Sequence, residues 1–372
     1  MSPPVATRVF SVSAGAELRE FRRRLLAWFH ARKRALPWRA TRDPYRIWLS
    51  EVMLQQTRVA AVLPYYQRFL KLFPNVRALA RAPEHDVLEA WAGLGYYSRA
   101  RNLQRAAQEI VRHHSARFPR RLEDALGLPG VGRYTAAAVL SIAYGAPLAM
   151  LDGNVARVLA RLGAVRGDVR QPARWRQFEA AAQILLTPKH ASSWNQAMME
   201  LGATVCTPRT PTCGECPVER FCRARALGLE EKLPEKRTKR APEDVRLAAA
   251  VLLDAQRRTI LVKSHNGAVD GLFSRMWQFP AVRVARDAEG TLRRYLRETL
   301  EVEAAQCLAL PAARHAVTYR RVALLPFLVP VDALPAEGHG AKVLALEDVA
   351  RWPTSSATRK IARAALRGAA RG

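Results

Sequence analysis

The chain has 372 residues, of which 49% are hydrophobic and 25% charged, a composition typical of a globular protein with room for two domain cores. Its formal net charge of +28 predicts a polyanionic partner, most simply nucleic acid, although excess arginine is also typical of proteins from GC-rich genomes. No run of about 18 apolar residues exists, and residues 1–15 lack the apolar core and cleavage pattern of a signal peptide. These features argue against a disordered chain and against a membrane protein. We expect a cytoplasmic protein, associated with the nucleoid if its source is a bacterium.

From residue 16 to about residue 226 the apolar residues recur with helical spacing, and proline and glycine mark the short breaks. The opening helix has one apolar stripe, formed by Leu18, Phe21, Leu25 and Trp28. Further helices are predicted at 45–58, 60–72, 84–91, 98–114, 133–143, 154–162 and 175–186. Residues 1–228 are therefore predicted to form an all-α domain.

The composition changes after this helical region. Residues 229–245 have almost no apolar content, two prolines and dense charge, which indicates an exposed linker. Residues 246–372 are predicted to form a smaller α/β domain. Its strands are expected at 245–254, 259–264 and 321–331, the first two joined by a turn, and its helices at 291–300 and 355–367.

Glu51 lies on a predicted helix that begins at an Asp-Pro pair, residues 43–44, a typical helix start. Ile47 and Trp48 precede it by one turn and Leu54 follows it by one turn, so the carboxyl group shares an apolar face. Burial disfavours the charged form, which predicts a raised pKa. A glutamate on a solvated face is the alternative, and it requires the helix to be rotated against its apolar pattern.

Residues 128–132 read Leu-Pro-Gly-Val-Gly and lie between two helical patterns. Gly130 and Gly132 let the backbone approach a phosphate closely, and the next helix offers unpaired N–H groups at its start. This hairpin either grips a DNA backbone without reading its sequence or is only a tight turn between helices.

Asp152 and Asn154 stand just before or at the start of the helix predicted at 154–162. Both residue types are preferred helix caps, so either one caps this helix, and Asp152 can combine capping with a second role.

Four of the five cysteines lie close together with the spacing C-x6-C-x2-C-x5-C: Cys206, Cys213, Cys216 and Cys222. In a reducing compartment this pattern indicates a metal site rather than disulfides. Four neighbouring thiolates suit tetrahedral zinc or an iron–sulfur cluster, and the spacing leaves both open. With all four ligand positions filled, the site is expected to be structural.

Six short stretches precede or accompany the cysteines. In chain order they are LPWR at 36–39, WLSEVMLQQT at 48–57, GLGYY at 93–97, LPGVG at 128–132, LDGNV at 151–155 and NQAMMELG at 195–202. Together with the four cysteines they resemble one family, the adenine DNA glycosylases of the MutY type, which share the helix–hairpin–helix superfamily with endonuclease III. The resemblance covers residues 18–225 densely and the rest loosely. It implies a 4Fe–4S cluster on the four cysteines, and as partner duplex DNA in which adenine is opposite 8-oxoguanine or, less favourably, guanine.

The family match implies catalytic roles for four residues. Glu51 matches the acid that protonates the departing adenine, and Asp152 matches a carboxylate that stays ionised beside the developing sugar cation. Tyr134 stands where bifunctional relatives carry a Schiff-base lysine, so we expect base removal without strand cleavage. Tyr134 and Asn154 are expected to support Asp152 and the sugar through hydrogen bonds.

The match also implies DNA contacts. Trp38, Arg39 and Glu200 are expected around an adenine flipped out of the duplex, while Gln56 and Tyr96 enter the duplex to fill the gap. Ordinary core packing is the alternative for either aromatic residue.

The second domain resembles the Nudix-like domain that ends MutY-type proteins and reads 8-oxoguanine, beginning at residues 271–280. Residues 297–301 keep only a remnant of the metal-binding glutamates of Nudix hydrolases, so no separate pyrophosphatase activity is expected. Many relatives contact 8-oxoguanine with Phe-Ser-His, whereas this chain has valine followed by Thr318 and Tyr319. The hydroxyl is kept but the imidazole is not, which predicts weaker discrimination or a role for other residues.

Two rival functions follow from the same sequence, a non-catalytic iron–sulfur protein that binds damaged DNA and a glycosylase/lyase of the endonuclease III type. Two carboxyl groups facing a polyanion argue against a pure binder, and Tyr134 and the extra domain argue against the lyase. A zinc base deaminase is excluded because its H-x-E and P-C-x-x-C motifs are absent. We expect a monomer with no membrane partner.

Overall fold

The computed structural model describes residues 15–235, 241–263, 276–317, 319–338, 340–352 and 354–369. The chain divides into two compact units. The first comprises Met1–Ala82 and Arg101–Thr238, and the second comprises Pro83–Ala100 and Lys239–Gly372. In the part of the chain that is described, no helix has the length and apolarity that crossing a membrane requires.

The first unit is helical. Its helices are α1 (Ala16–Arg32), α2 (Pro44–Leu54), α3 (Val59–Leu72), α4 (Val76–Arg81), most of α6 (Ser98–His113), α7 (Leu122–Leu126), α8 (Arg133–Tyr144), α9 (Gly153–Leu162), α10 (Pro172–Leu185), α11 (Ala191–Thr204) and α12 (Arg223–Ala226). The predicted all-α class is confirmed for this unit.

Local chemistry explains where several helices begin and end. The Asp43 side chain accepts a hydrogen bond from the Tyr45 N–H at the start of α2, and Pro44 occupies the first helical position. The prediction that this helix runs to residue 58 is wrong, because α2 ends at Leu54 and Gln56 adopts the left-handed φ of 57°. No helix was predicted where α4, α11 and α12 lie.

One hydrophobic core of this unit is formed by residues of α1, α9, α10 and α11. On α1 the deeply buried residues are Phe21, Leu25 and Phe29, whereas Trp28 is only partly buried, so the apolar stripe is rotated slightly from the predicted one. Gly202 on α11 permits a close approach to α9, because a Cβ atom there would lie 2.7 Å from the Asn154 Cβ. This contact fixes the start of α9 against α11.

The second unit is α/β, as predicted. It contains α5 (Glu84–Ala90), the first residues of α6, β1 (Glu243–Leu253), β2 (Arg258–Lys263), β3 (Trp277–Gln278), β4 (Ala281–Arg283), α13 (Ala288–Leu300), β5 (Leu308–Ala309), β6 (Ala313–Val317), β7 (Arg320–Pro330), β8 (Ala341–Ala345) and α14 (Ser356–Gly368). The predicted strands and helices of this region are all present.

Two sheets organise this unit. The larger has the order β4-β1-β7-β5 with β6 also paired to β7, and the smaller has the order β3-β2-β8. β1 and β7 are parallel, with Glu243 opposite Arg320 and Leu253 opposite Pro330, while the other pairs are antiparallel. β1 and β2 are joined by a turn, as predicted, but they belong to different sheets.

Alternating side chains of β1 enter two cores. Val245, Leu247 and their neighbours on one face pack with α14, whereas Ala248 and Leu252 on the other face pack with α13. A strand buried on both faces explains why β1 is a nearly continuous apolar run.

The structure differs from the predicted boundaries at two places. β1 begins at Glu243, within the range 229–245 that the sequence assigned to a linker, and Leu233 is buried and accepts a hydrogen bond from Arg161. Residues 83–100 belong to the second compact unit although they precede most of the helical unit in sequence. The order of the sequence does not reveal that a segment packs with a later part of the chain, because this assignment depends on long-range contacts.

Candidate active site

A cavity of about 850 Å³ in the first unit brings together many of the predicted site residues. It is formed where α2, α8, α9 and α11 meet the short turn at Pro37–Arg39. The predicted residues that line it are Trp38, Arg39, Glu51, Gln56, Tyr134, Asp152, Asn154 and Glu200.

Glu51 lies deep in this cavity and is only 4% exposed, as its apolar neighbours predict. Burial raises the pKa of Glu51 to about 7, against the lowering effect of a 2.6 Å hydrogen bond from the Tyr134 hydroxyl, and the nearby Asp152 raises it further. Glu51 can therefore hold a proton near neutral pH.

Asp152 caps α9 and faces the same cavity. Its carboxylate accepts hydrogen bonds from the Val155 N–H at 2.7 Å and from the Asn154 side-chain amide at 3.0 Å. Burial raises the pKa of Asp152, and these two hydrogen bonds oppose the rise. The two roles considered for Asp152, capping and a place in the site, are thus compatible.

The partner of Tyr134 differs from the expected one. Its hydroxyl donates to Glu51 and contacts the Met199 sulfur at 3.5 Å, whereas Asp152 is held by Asn154 and by the backbone. The expectation that Tyr134 supports Asp152 by a hydrogen bond is therefore wrong in this structure. The reason is that α8 places the phenol beside α2.

Glu200 forms the centre of a charged network on another wall. It is 1% exposed and pairs with Arg34 at 2.7 Å and with Arg39 at 2.8 Å. Burial alone would raise its pKa, but the hydrogen bonds from the two arginines outweigh that effect and lower the pKa of Glu200 to about 2. Arg34 was not predicted as a site residue, because nothing in its local sequence distinguishes it from the many other arginines.

Trp38 and Gln56 occupy different depths of the cavity. Trp38 is buried, with its ring 5.2 Å from the Tyr66 ring in an edge-on arrangement. Gln56 is exposed, and its left-handed backbone turns it away from α2. Trp38 thus combines core packing with lining the site.

The glycine hairpin lies before α8. Gly130 has a φ of 73°, and a Cβ atom there would lie 2.6 Å from the Asn102 Cβ, so glycine is required at this position. A Cβ atom at Gly132 would meet no other atom within 4 Å. The absence of a side chain at Gly132 therefore leaves the backbone at the start of α8 approachable.

A buried arginine connects this cavity to the cysteine loop. Arg157 donates to the Asn154 carbonyl oxygen Oδ1 at 2.9 Å, to the Gly202 carbonyl at 2.7 Å and to the Cys206 carbonyl at 2.8 Å. Asn154 in turn donates to Asp152. A chain of hydrogen bonds therefore runs from the first cysteine to the Asp152 carboxylate.

The four cysteines lie on a loop packed against the helical core. Cys206, Cys216 and Cys222 contact that core, and Arg161 donates to the Cys206 sulfur at 3.2 Å. Burial raises the pKa of Cys216 to about 12, and the thiols of the other three cysteines contribute to that rise. The thiols are therefore near neighbours, although no three His, Cys, Asp or Glu among the described residues are grouped to hold a single metal ion.

The other predicted residues lie in the second unit. Tyr96 has a φ of 50° and is 58% exposed, so it is not a core residue. Tyr319 is half-buried with the Arg320 guanidinium over its ring, and its carbonyl accepts from the Glu243 N–H. Thr318 and residues 271–275 lie outside the described residues.

Comparisons with known proteins identify the class of protein that has this arrangement. Residues 49–183, which include Glu51, Tyr134 and Asp152, match the HhH-GPD superfamily base excision DNA repair protein model. The structure is similar to that of a thermostable thymine-DNA glycosylase, with a TM-score of 0.51 and 28% identity over 57% of this chain and 97% of that chain. The family match and the shared fold place this chain among the base excision DNA repair proteins of the HhH-GPD superfamily.

Similarity to individual relatives shows which family within this class the chain belongs to. The chain is 33% identical to an adenine DNA glycosylase of Mus musculus over 94% of this chain and 78% of the mouse protein. It is 47% identical to one of Homo sapiens over 59% of this chain, but that match spans only 42% of the human protein. The chain belongs to the adenine DNA glycosylase family.

Proposed function

We propose that this protein binds duplex DNA and hydrolyses the N-glycosidic bond of adenine mispaired with 8-oxoguanine or guanine. The observation that carries the proposal is Glu51, a buried carboxyl group with a pKa near 7 in a cavity that also contains Asp152. The family membership supports adenine as the base. The opposite base rests on the resemblance of the sequence motifs.

The proposed chemistry divides the work between two carboxyl groups. Glu51 donates its proton to a ring nitrogen of adenine, and the base leaves with the electron pair of the glycosidic bond. Asp152, whose anionic form is favoured by hydrogen bonds from Asn154 and the Val155 N–H, faces the sugar cation that develops. Glu51, now a carboxylate, takes a proton from the water that adds to the sugar.

Tyr134 and the charged network have supporting roles in this scheme. The phenol donates to Glu51 and steadies the carboxylate that remains after proton transfer. The network of Glu200, Arg34 and Arg39, next to Trp38, offers donors, acceptors and an aromatic edge for a flipped adenine.

We infer base removal without strand cleavage. A lyase forms an imine between a lysine and the sugar, and a phenol at Tyr134 cannot do this. Among the described residues, the cavity is lined by arginines but by no lysine.

We infer that the four cysteines hold a 4Fe–4S cluster. Four neighbouring thiols on a loop packed against the core would supply the four thiolate ligands of such a cluster. A bound cluster would make the loop rigid, and Arg157 and Arg161 on α9 tie that loop to the helix that Asp152 caps.

DNA is bound, in this proposal, by backbone and side-chain contacts that do not read sequence. Gly130 and Gly132 allow a phosphate to reach the start of α8, and the charge of +28 attracts the polyanion. Gln56 and Tyr96, both exposed, enter the duplex. The second unit reads the opposite base near Thr318 and Tyr319.

The proposal is tested with duplexes that contain adenine opposite 8-oxoguanine, guanine or thymine, with strand breaks measured before and after hot alkali. Breaks only after alkali, and only opposite 8-oxoguanine or guanine, are the expected result. Breaks without alkali indicate the lyase, and no breaks with tight binding indicate the non-catalytic binder. Either of these outcomes contradicts the proposal.

A further inference from the structure

The loop at residues 91–97 is rigidly built although its most prominent side chain is exposed. Gly93, Gly95 and Tyr96 all have positive φ, a conformation that a tyrosine adopts only when its surroundings impose it. The Trp91 indole N–H donates to the Gly95 carbonyl at 3.1 Å. The loop thus has a fixed internal shape.

Arg99 braces the same loop from its C-terminal side. Its guanidinium donates to the Leu94 and Gly95 carbonyls at 3.3 and 3.2 Å and lies over the rings of Trp91 and Tyr96. The Tyr96 ring is therefore presented in a defined position rather than on a loose tip.

The neighbouring Tyr97 is buried, whereas Tyr96 is exposed. Its hydroxyl accepts a hydrogen bond from the Arg359 guanidinium at 2.9 Å and lies 3.5 Å from the Thr354 carbonyl. Arg359 lies on α14, and its Nε is 3.4 Å from the Thr354 hydroxyl, which is itself buried. The contact joins residues 262 positions apart within the second unit.

A second contact ties the same segment to the same place. The His85 ring on α5 lies 5.6 Å from the Trp352 ring, and Trp352 packs edge-on against Trp277 at 5.5 Å. Residues 83–100 are thus attached at two points to the part of the chain that follows residue 239.

We propose that Arg359 is a positioning residue that holds the loop at residues 91–97 through Tyr97, so that the C-terminal part of the chain sets the position of Tyr96. The inference rests on the proposed function, in which Tyr96 enters the duplex. In consequence, the same part of the chain has two roles: it reads the opposite base, and it positions Tyr96, which separates the stacked bases of the duplex.

The test uses the full-length protein and a duplex in which 2-aminopurine lies next to the mispair, so that fluorescence reports unstacking. The variants are Arg359→Met, which removes the donor but keeps a long apolar side chain, and Tyr97→Phe, which removes only the hydroxyl. Arg363→Met is the matched control, because Arg363 is an exposed cation one turn further along α14.

We expect Arg359→Met and Tyr97→Phe to reduce the unstacking signal and to slow single-turnover adenine release about tenfold, while affinity for fully paired duplex stays within about twofold. Arg363→Met should match the unaltered protein. Arg359→Met combined with Tyr96→Ala should release adenine no more slowly than Tyr96→Ala alone, because both changes remove the same contribution.

Multiplicative losses in the combined variant, or normal unstacking in both Arg359→Met and Tyr97→Phe, would overturn the inference. Tyr97→Phe decides the question if Arg359→Met fails to fold, which its melting curve reports. An unaltered protein that releases no adenine refutes the proposed function, whereas the unstacking signal still tests the positioning role of Arg359.

Discussion

The two buried glutamates of the cavity, Glu51 and Glu200, differ in their partners and therefore in their protonation. Both are at most 4% exposed, yet the pKa of Glu51 is about 7 and that of Glu200 about 2. Glu51 has one neutral phenol as its donor, whereas Glu200 has two guanidinium groups. Burial raises both pKa values, and the neighbouring groups, including the Asp152 carboxyl beside Glu51, decide which glutamate keeps its proton.

The largest expected effect comes from removing the acid itself. Glu51→Gln keeps the size and the contact to Tyr134 but has no proton to transfer, so single-turnover adenine release should fall by about 1,000-fold or more. Binding to the mispaired duplex should persist in a gel-shift titration. Glu123→Gln, an exposed glutamate on α7, is the control. Retained turnover in Glu51→Gln would remove Glu51 from the role of acid.

Replacement of the other glutamate, Glu200, is expected to lower the stability of the protein. Glu200→Gln leaves the largely buried Arg39 and the half-exposed Arg34 without their anion, so the free energy of unfolding should fall by about 2–4 kcal/mol. Urea denaturation at pH 7 measures it. Unchanged stability would mean that the two arginines find other partners.

Glu51 should also make stability depend on pH. Its folded-state pKa of about 7 exceeds the ordinary value of 4.5, so the folded state holds the proton more tightly and loses stability as pH rises from about 4.5 through 7. Glu51→Gln abolishes this loss. The free energy of unfolding of the variant, relative to that of the unaltered protein, should therefore be about 1–3 kcal/mol higher at pH 8 than at pH 4.5. Denaturation curves at the two pH values decide this. An equal difference in stability at both pH values would show that the pKa of Glu51 is not raised in the folded state.

The smallest expected effect comes from removing the hydroxyl of Tyr134. Tyr134→Phe removes the donor that lowers the pKa of Glu51, so that pKa should rise further. Adenine release should fall as pH rises through about 7 in the unaltered protein, and in the variant this fall should move upward by about one pH unit. Single-turnover rates from pH 5 to 9 measure the shift. A fall displaced to lower pH would contradict the contact as described.

Part of this site follows from local sequence. The burial of Glu51 follows from its helical neighbours, and the cap at Asp152 follows from its residue type, because both depend on residues within one turn. The arginine pair on Glu200 does not follow, since Arg34 and Glu200 are 166 positions apart. The Tyr134 hydroxyl could equally have met Asp152, and only the packing of α8 against α2 decides that it meets Glu51.

The amino-acid sequence alone predicts the helical and α/β parts of the chain, the cysteine site, the two carboxyl groups and the family that these motifs resemble. Local periodicity and residue type carry that information. Three further features follow from three-dimensional packing: Glu51 rather than Glu200 keeps its proton, Arg157 links Asn154 to Cys206, and residues 83–100 belong to the second unit. These features depend on contacts between residues far apart in the chain, and their energies depend on distance and burial, which spacing along a sequence does not specify.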